Sequence, residues 1–121
     1  MYLTYIRRFF WNLRDRCQRF IRGYAWSDIV DMDWWFIRTA EPMLRYLQEH
    51  HYGTPGKYTD EEWTARLKEM ADELHLCDEE NVVEEEFGGD YMKCEEIYQA
   101  MEAHKTRFFK LFSEDFYCLW D

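Results

Sequence analysis

Histidines, cysteines and clustered carboxylates are the residues of this chain that could do chemistry, and their spacing is the first question. His50 and His51 adjoin a glycine-rich stretch, but neighbours on a helix point about 100° apart and make a poor pair of ligands for one ion. Asp72 and His75 stand three apart and can share a helix face. A metal site in a helical bundle wants such a motif twice, and it occurs once. Cys77 is two residues from His75, which puts the two on different faces. His104 falls in an apolar stripe and is expected to be a partly buried structural histidine. A nucleophilic Cys/His pair would have to be assembled in space, and nothing local supports one. GxGxxG, GxxxxGK and HExxH are all missing. No catalytic residue, metal ligand or cofactor is therefore expected, and the expected mode of action is binding rather than catalysis.

The carboxylates say more. The chain has 25 acidic against 15 basic side chains, for a net charge of −10. Residues 60 to 102 hold 16 acids against Arg66, Lys68 and Lys93, a local −13. Candidate partner-binding residues in this segment are Glu61, Glu62, Glu69, Asp72, Glu73, Asp78, Glu79, Glu80, Glu84, Glu85, Glu86 and Asp90. Such a surface repels nucleic acid and attracts basic macromolecules, including one whose cationic channel normally holds phosphates. A solvated acidic face that keeps the protein soluble accounts for the same charge. Residues 2 to 22 have the opposite sign, six arginines against Asp15, or +5. That segment could contact nucleic acid or an anionic membrane surface as a basic amphipathic helix, or its arginines could pair with the acidic middle of the same chain. Neither a nucleic-acid partner nor a membrane partner is the expectation.

Helices must position these groups. A content of 47% hydrophobic and 20% aromatic residues supplies a core without a metal or disulfide scaffold, and only 5 Gly and 2 Pro leave too few turns for many short strands. Ile6, Phe9, Phe10, Leu13, Cys17, Phe20 and Ile21 recur at steps of three and four, drawing one stripe down a helix that Gly23 ends. Ser27 with Asp28 looks like a helix start. Pro42 sits inside the apolar pattern that follows, so a kink or break is expected near Thr39 to Glu41. Tyr52 to Gly56 is a loop. Thr59-Asp60-Glu61-Glu62 matches a capping box, opening a helix with Trp63, Leu67, Met70, Ala71 and Leu74 on one side and an end near Cys77. Residues 78 to 90, with Gly88-Gly89, are expected as loop or frayed helix. A last helix is expected from about Asp90, carrying Ile97, Met101, His104, Phe108 and Leu111, with Ser113-Glu114-Asp115 capping a short terminal helix. The expected fold is all-α: a single domain over 1–121, a compact bundle of four to five helices with a kink near Pro42. Cys17, Cys77, Cys94 and Cys118, without a CxxC pair, are expected as reduced, buried thiols. Because consecutive aromatics cannot all face one core, Trp35 or Phe36, and Phe109 or Tyr117, are expected either at the surface or under the first helix. Arg7, Arg8, Arg14, Arg16, Arg19 and Arg22 interrupt any apolar run long enough to span a membrane, and no signal peptide is recognised.

The stretch Arg22-Gly23-Tyr24-Ala25-Trp26-Ser27-Asp28-Ile29-Val30-Asp31-Met32-Asp33-Trp34-Trp35-Phe36, with Pro42-Met43-Leu44 and His51-Tyr52-Gly53-Thr54-Pro55, resembles a pattern in small phage and prophage proteins of uncharacterised function. It covers about a third of the chain and carries over no catalytic residue. The resemblance implies a mobile-element setting and the cytoplasm of a bacterial host cell. With the charge, it suggests an inhibitor of a host defence system, anti-CRISPR-like, whose acidic surface takes the place of nucleic acid on a basic site of a CRISPR-associated nuclease or other defence effector. The alternative is a homo-oligomeric structural or assembly protein of the phage particle that associates through exposed aromatics.

Overall fold

Periodicity of three and four dominates the backbone as it does the sequence. In a computed structural model, residues 1–120 are described, and six α-helices and one 3₁₀ turn account for all their regular structure: α1 Tyr2–Arg22, α2 Trp26–Val30, α3 Met32–His50, α4 Asp60–His75, α5 Glu79–Glu86, α6 Cys94–Glu114 and the 3₁₀ turn Phe116–Cys118. No strand occurs among them. The chain divides into two compact units, Met1–Phe36 and Ile37–Asp121, with the boundary inside α3.

The first unit is built on polar ties. Gly23 ends α1 in the left-handed region (φ 85°), its N–H donating to the Arg19 carbonyl at 2.8 Å, a geometry glycine adopts without strain. Ser27 does not start α2 as expected. The capping position is Ala25, whose N–H donates to the Asp28 carboxylate at 2.8 Å, so the acid inside the first turn reaches back and does the work of a cap. Ser27 is free to donate its hydroxyl to Asp15 at 2.8 Å, and the Trp26 N–H donates to the Gln18 amide oxygen at 2.8 Å. Arg19 donates from two nitrogens to both oxygens of buried Asp28, at 3.0 and 2.8 Å. Such a two-pronged pair is directional as well as strong. A cleft of about 300 Å3 opens between Tyr24, Asp28, Ile29, Met32 and Trp35.

Of the kink or break expected near Thr39 to Glu41, the break does not occur: α3 runs on through Pro42 to His50. The interruption falls earlier, at Asp31, whose φ of −125° and ψ of 63° separate α2 from α3.

The second unit has a conventional core. Thr59 caps α4 by accepting from the Glu62 N–H at 3.2 Å, worth about 1 kcal/mol. Trp63, Leu67, Met70, Ala71 and Leu74 of α4 are buried, as are Ile97, His104, Phe108 and Leu111 of α6 and Leu44 of α3. Tyr58 stacks on Trp63 at 5.5 Å. Residues 79 to 86 are an ordered helix rather than a loop, because Val82 and Val83 are fully buried and cluster with Ile97. α6 begins at Cys94, later than expected, since Asp90 to Lys93 form a turn in which Asp90 accepts from the Met92 N–H at 3.0 Å. Asp115 does not cap the terminal turn with its side chain; that carboxylate points inward. Gly53 lies against the Trp120 ring, where a Cβ would come within 2.9 Å.

Candidate partner-binding surface

The second unit's acids fall into two groups, those that bind cations of their own unit and those that face outward. Asp72 accepts from Arg45 at 2.6 Å and from Lys68 at 2.7 Å. Partial burial would raise its pKa, but hydrogen bonds from Lys68 and Arg45 outweigh that and hold it below the usual carboxylate range. Glu73 and Glu86 clamp the buried His104 from opposite sides, each 2.6 Å from a ring nitrogen, and Glu73 also accepts from Arg107 at 3.1 Å. His75 lies 2.7 Å from Glu41 and 3.4 Å from Glu85. Asp72, Glu73 and Glu86, grouped by sequence with the partner-binding acids, are thus occupied holding α3, α4, α5 and α6 together. Apart from Lys68, four residues from Asp72, their partners stand 18 to 34 residues away in the chain, beyond the reach of local charge counting.

A second internal site went unnoticed for the same reason. Fully buried Asp115 accepts from Arg66 at 2.6 Å and from the Tyr58 hydroxyl at 2.9 Å, and lies 2.8 Å from the Lys57 ammonium. Arg66 also pairs with Glu114. Burial alone would raise the Asp115 pKa; bonds from Lys57, Arg66 and Tyr58 bring it below the ordinary value.

The remaining acids face solvent. Glu61, Glu62 and Glu69 on α4 and Glu79, Glu80 and Glu84 on α5 are exposed. Among the described residues no ion pair engages these six. Glu61, Glu62, Glu79 and Glu80 occupy first helical turns, where the helix dipole favours negative charge. Asp78 sits at the N-terminal cap of α5 without a side-chain capping bond. Glu80 and Glu84 share one face of α5, four apart. Their field is felt nearby: the Tyr91 phenol is pushed above its ordinary pKa by desolvation and then by Glu80, Glu84, Glu79 and Asp78. Glu95 and Glu96 add two exposed acids in the first turn of α6.

His51 has its Nδ1 3.1 Å from the Gly53 carbonyl and its Nε2 2.9 Å from the Thr64 hydroxyl, so it ties the loop to α4. No group of three His, Cys, Asp or Glu able to hold a metal ion occurs among the described residues. All four cysteines are free thiols; contrary to expectation Cys17 and Cys94 are exposed, while Cys77 and Cys118 are half-buried. Burial, and secondarily Glu73, pushes the Cys77 thiol up to about 11. Among the described residues no helix is long and apolar enough to cross a membrane.

No protein-family model, curated protein or solved structure matches the chain.

Proposed function

We propose that this protein acts by binding a basic macromolecule through the outward acids of α4 and α5, in the manner of a nucleic-acid mimic. The observation that carries the reading is the division of labour among the carboxylates. Asp72, Glu73, Glu86 and Asp115 have partners in their own unit, whereas Glu79, Glu80 and Glu84 are exposed on a short helix and take part in no ion pair. Unpaired carboxylates on a fixed scaffold steer a cationic partner and add little to the stability of the fold. The resemblance to phage and prophage proteins gives the setting: a bacterial cell, with a basic defence effector such as a CRISPR-associated nuclease as the target and inhibition as the effect.

In cells carrying a nuclease-based defence system, expression of the protein is expected to protect an incoming plasmid. The triple variant E79K/E80K/E84K should lose that protection while unfolding at the same denaturant concentration. Protection that survives the charge reversal, or that fails to weaken in the purified system as salt rises, refutes the reading.

One observation favours a second reading, assembly of copies. Phe108, Phe109, Phe112, Phe116 and Tyr117 form a chain of ring contacts at 5.1 to 6.4 Å whose end is open, with Tyr117 92% exposed. Light scattering at high concentration separates the two, since a strict monomer rules assembly out.

A further inference from the structure

The basic face and the apolar stripe of α1 belong to neither reading above. No residue of α1 is buried. Ile6, Phe9, Phe10, Leu13, Phe20 and Ile21 are exposed, Phe20 to 92% and Ile21 to 81%. They form a single stripe, since the steps between them keep to one side of a helix turning about 100° per residue. The side chains that tie α2 to α1 are Asp15, Gln18 and Arg19, and the same rotation puts all three more than about 100° round the helix from the middle of that stripe. Unit 1 therefore folds back on the polar side of α1 and leaves its apolar side clear.

Charge says what covers it. Arg7 and Arg14 border one edge of the stripe and Arg16 the other, within a helix of six arginines and one acid. A second copy of α1 would set one +5 helix against another along the same seam. Nucleic acid would engage the arginines and leave six large apolar side chains in water. An anionic lipid surface satisfies both halves: the stripe enters the boundary between headgroups and acyl chains, and the guanidiniums, their stems lying along apolar surface, reach lipid phosphates. At 21 residues α1 is about 31 Å long, but it is too polar to cross a bilayer, so it lies in the interface plane. The chain's overall −10 does not oppose this. Charges are screened beyond about 8 Å at physiological salt, and a surface touching the stripe meets its bordering arginines first.

We infer that α1 is a docking helix for an anionic phospholipid bilayer, bound through the Ile6–Phe9–Phe10–Leu13–Phe20–Ile21 stripe and its bordering arginines. The test is flotation of the full chain with vesicles of equal parts phosphatidylglycerol and phosphatidylcholine, and with vesicles of phosphatidylcholine alone. Wild type should float with the former at low salt and be released from it at high salt, and should stay with pure phosphatidylcholine far less. F9D/L13D should abolish flotation. R7Q/R14Q/R16Q should lower the partition coefficient about a hundredfold, at about fivefold per arginine. Both variants alter exposed side chains and should keep the helical circular dichroism of the wild type, which separates lost docking from lost folding. E79K/E80K/E84K should float at least as well as wild type, so the proposal stands or falls apart from the acidic-face reading. Wild type that stays unbound at low salt overturns the inference, as does binding that F9D/L13D leaves intact. An oligomer that F9D/L13D dissociates assigns the stripe to a second copy and likewise overturns it, and so does retention on duplex DNA that only the arginine variant loses.

Discussion

Asp115 shows how a single side chain gathers a structure from distant parts of the chain. It has no exposed surface and joins Lys57, Tyr58 and Arg66. Replacing it with Asn keeps the shape and removes the charge, and should cost about 2 kcal/mol at neutral pH, the scale of a hydrogen bond to a charged group. Its folded pKa is depressed, so the carboxylate contributes stability above the ordinary Asp value of about 3.9, and that contribution fades as pH falls through the lower folded value. Urea unfolding should therefore show the gap between wild type and D115N closing in the acid range below about pH 4. The cysteines give a second check. With its thiol pushed up to about 11, Cys77 should be alkylated far more slowly near neutral pH than the exposed Cys17 and Cys94, since the thiolate is the nucleophile. Mass spectrometry of a timed iodoacetamide reaction reads the order directly.

α5 is the element in which local and tertiary forces disagree most. Eight residues are too few for a helix to hold in water on propensity alone, and five of them are glutamates with two adjacent β-branched valines as the only apolar content. Its two valines pack against Ile97 and α6, and Glu86 reaches His104. Val83→Asp should accordingly strip hydrogen-exchange protection from Glu79–Glu86 first. The acids of this helix should respond in opposite ways to charge reversal. E80K or E84K should be neutral or slightly stabilising, because each relieves a like-charge pair four residues apart. E73K on α4 and E86K should each be destabilising, by about 1 to 3 kcal/mol, because each takes a hydrogen-bond partner away from the buried His104. Equal effects at the two kinds of position would contradict the division between inward and outward acids.

At the scale of the whole molecule, the apolar core of the second unit comes from residues between Leu44 and Leu111, while the first unit is held by the Arg19–Asp28 pair and its neighbours. A chain lacking Met1–Phe36 should retain cooperative unfolding with the near-ultraviolet signal of the Tyr58–Trp63 stack, measured by circular dichroism. The charges are divided in the same way. The first unit carries six arginines against four aspartates, and most of the acids lie beyond it, so one chain can meet partners of opposite sign through different units.

Helix positions were legible in the sequence wherever apolar residues recurred at three and four and a local terminator followed. Tyr2–Arg22 with Gly23, and the Thr59 cap with Trp63 to Leu74, are of that kind, since capping and periodicity act within a few residues. The acidic character of residues 60 to 102 was equally plain. What no local pattern contained was the destination of each side chain. The stripe of α1 looks like core and is exposed; residues 78 to 90 look like loop or frayed helix and contain the helix Glu79–Glu86; Asp72, Glu73 and Glu86 look free and are paired. For the acids the outcome depends on groups as far as 18 to 31 residues away. Periodicity determines that a helix has two faces, and only packing in three dimensions decides which face meets protein and which meets solvent.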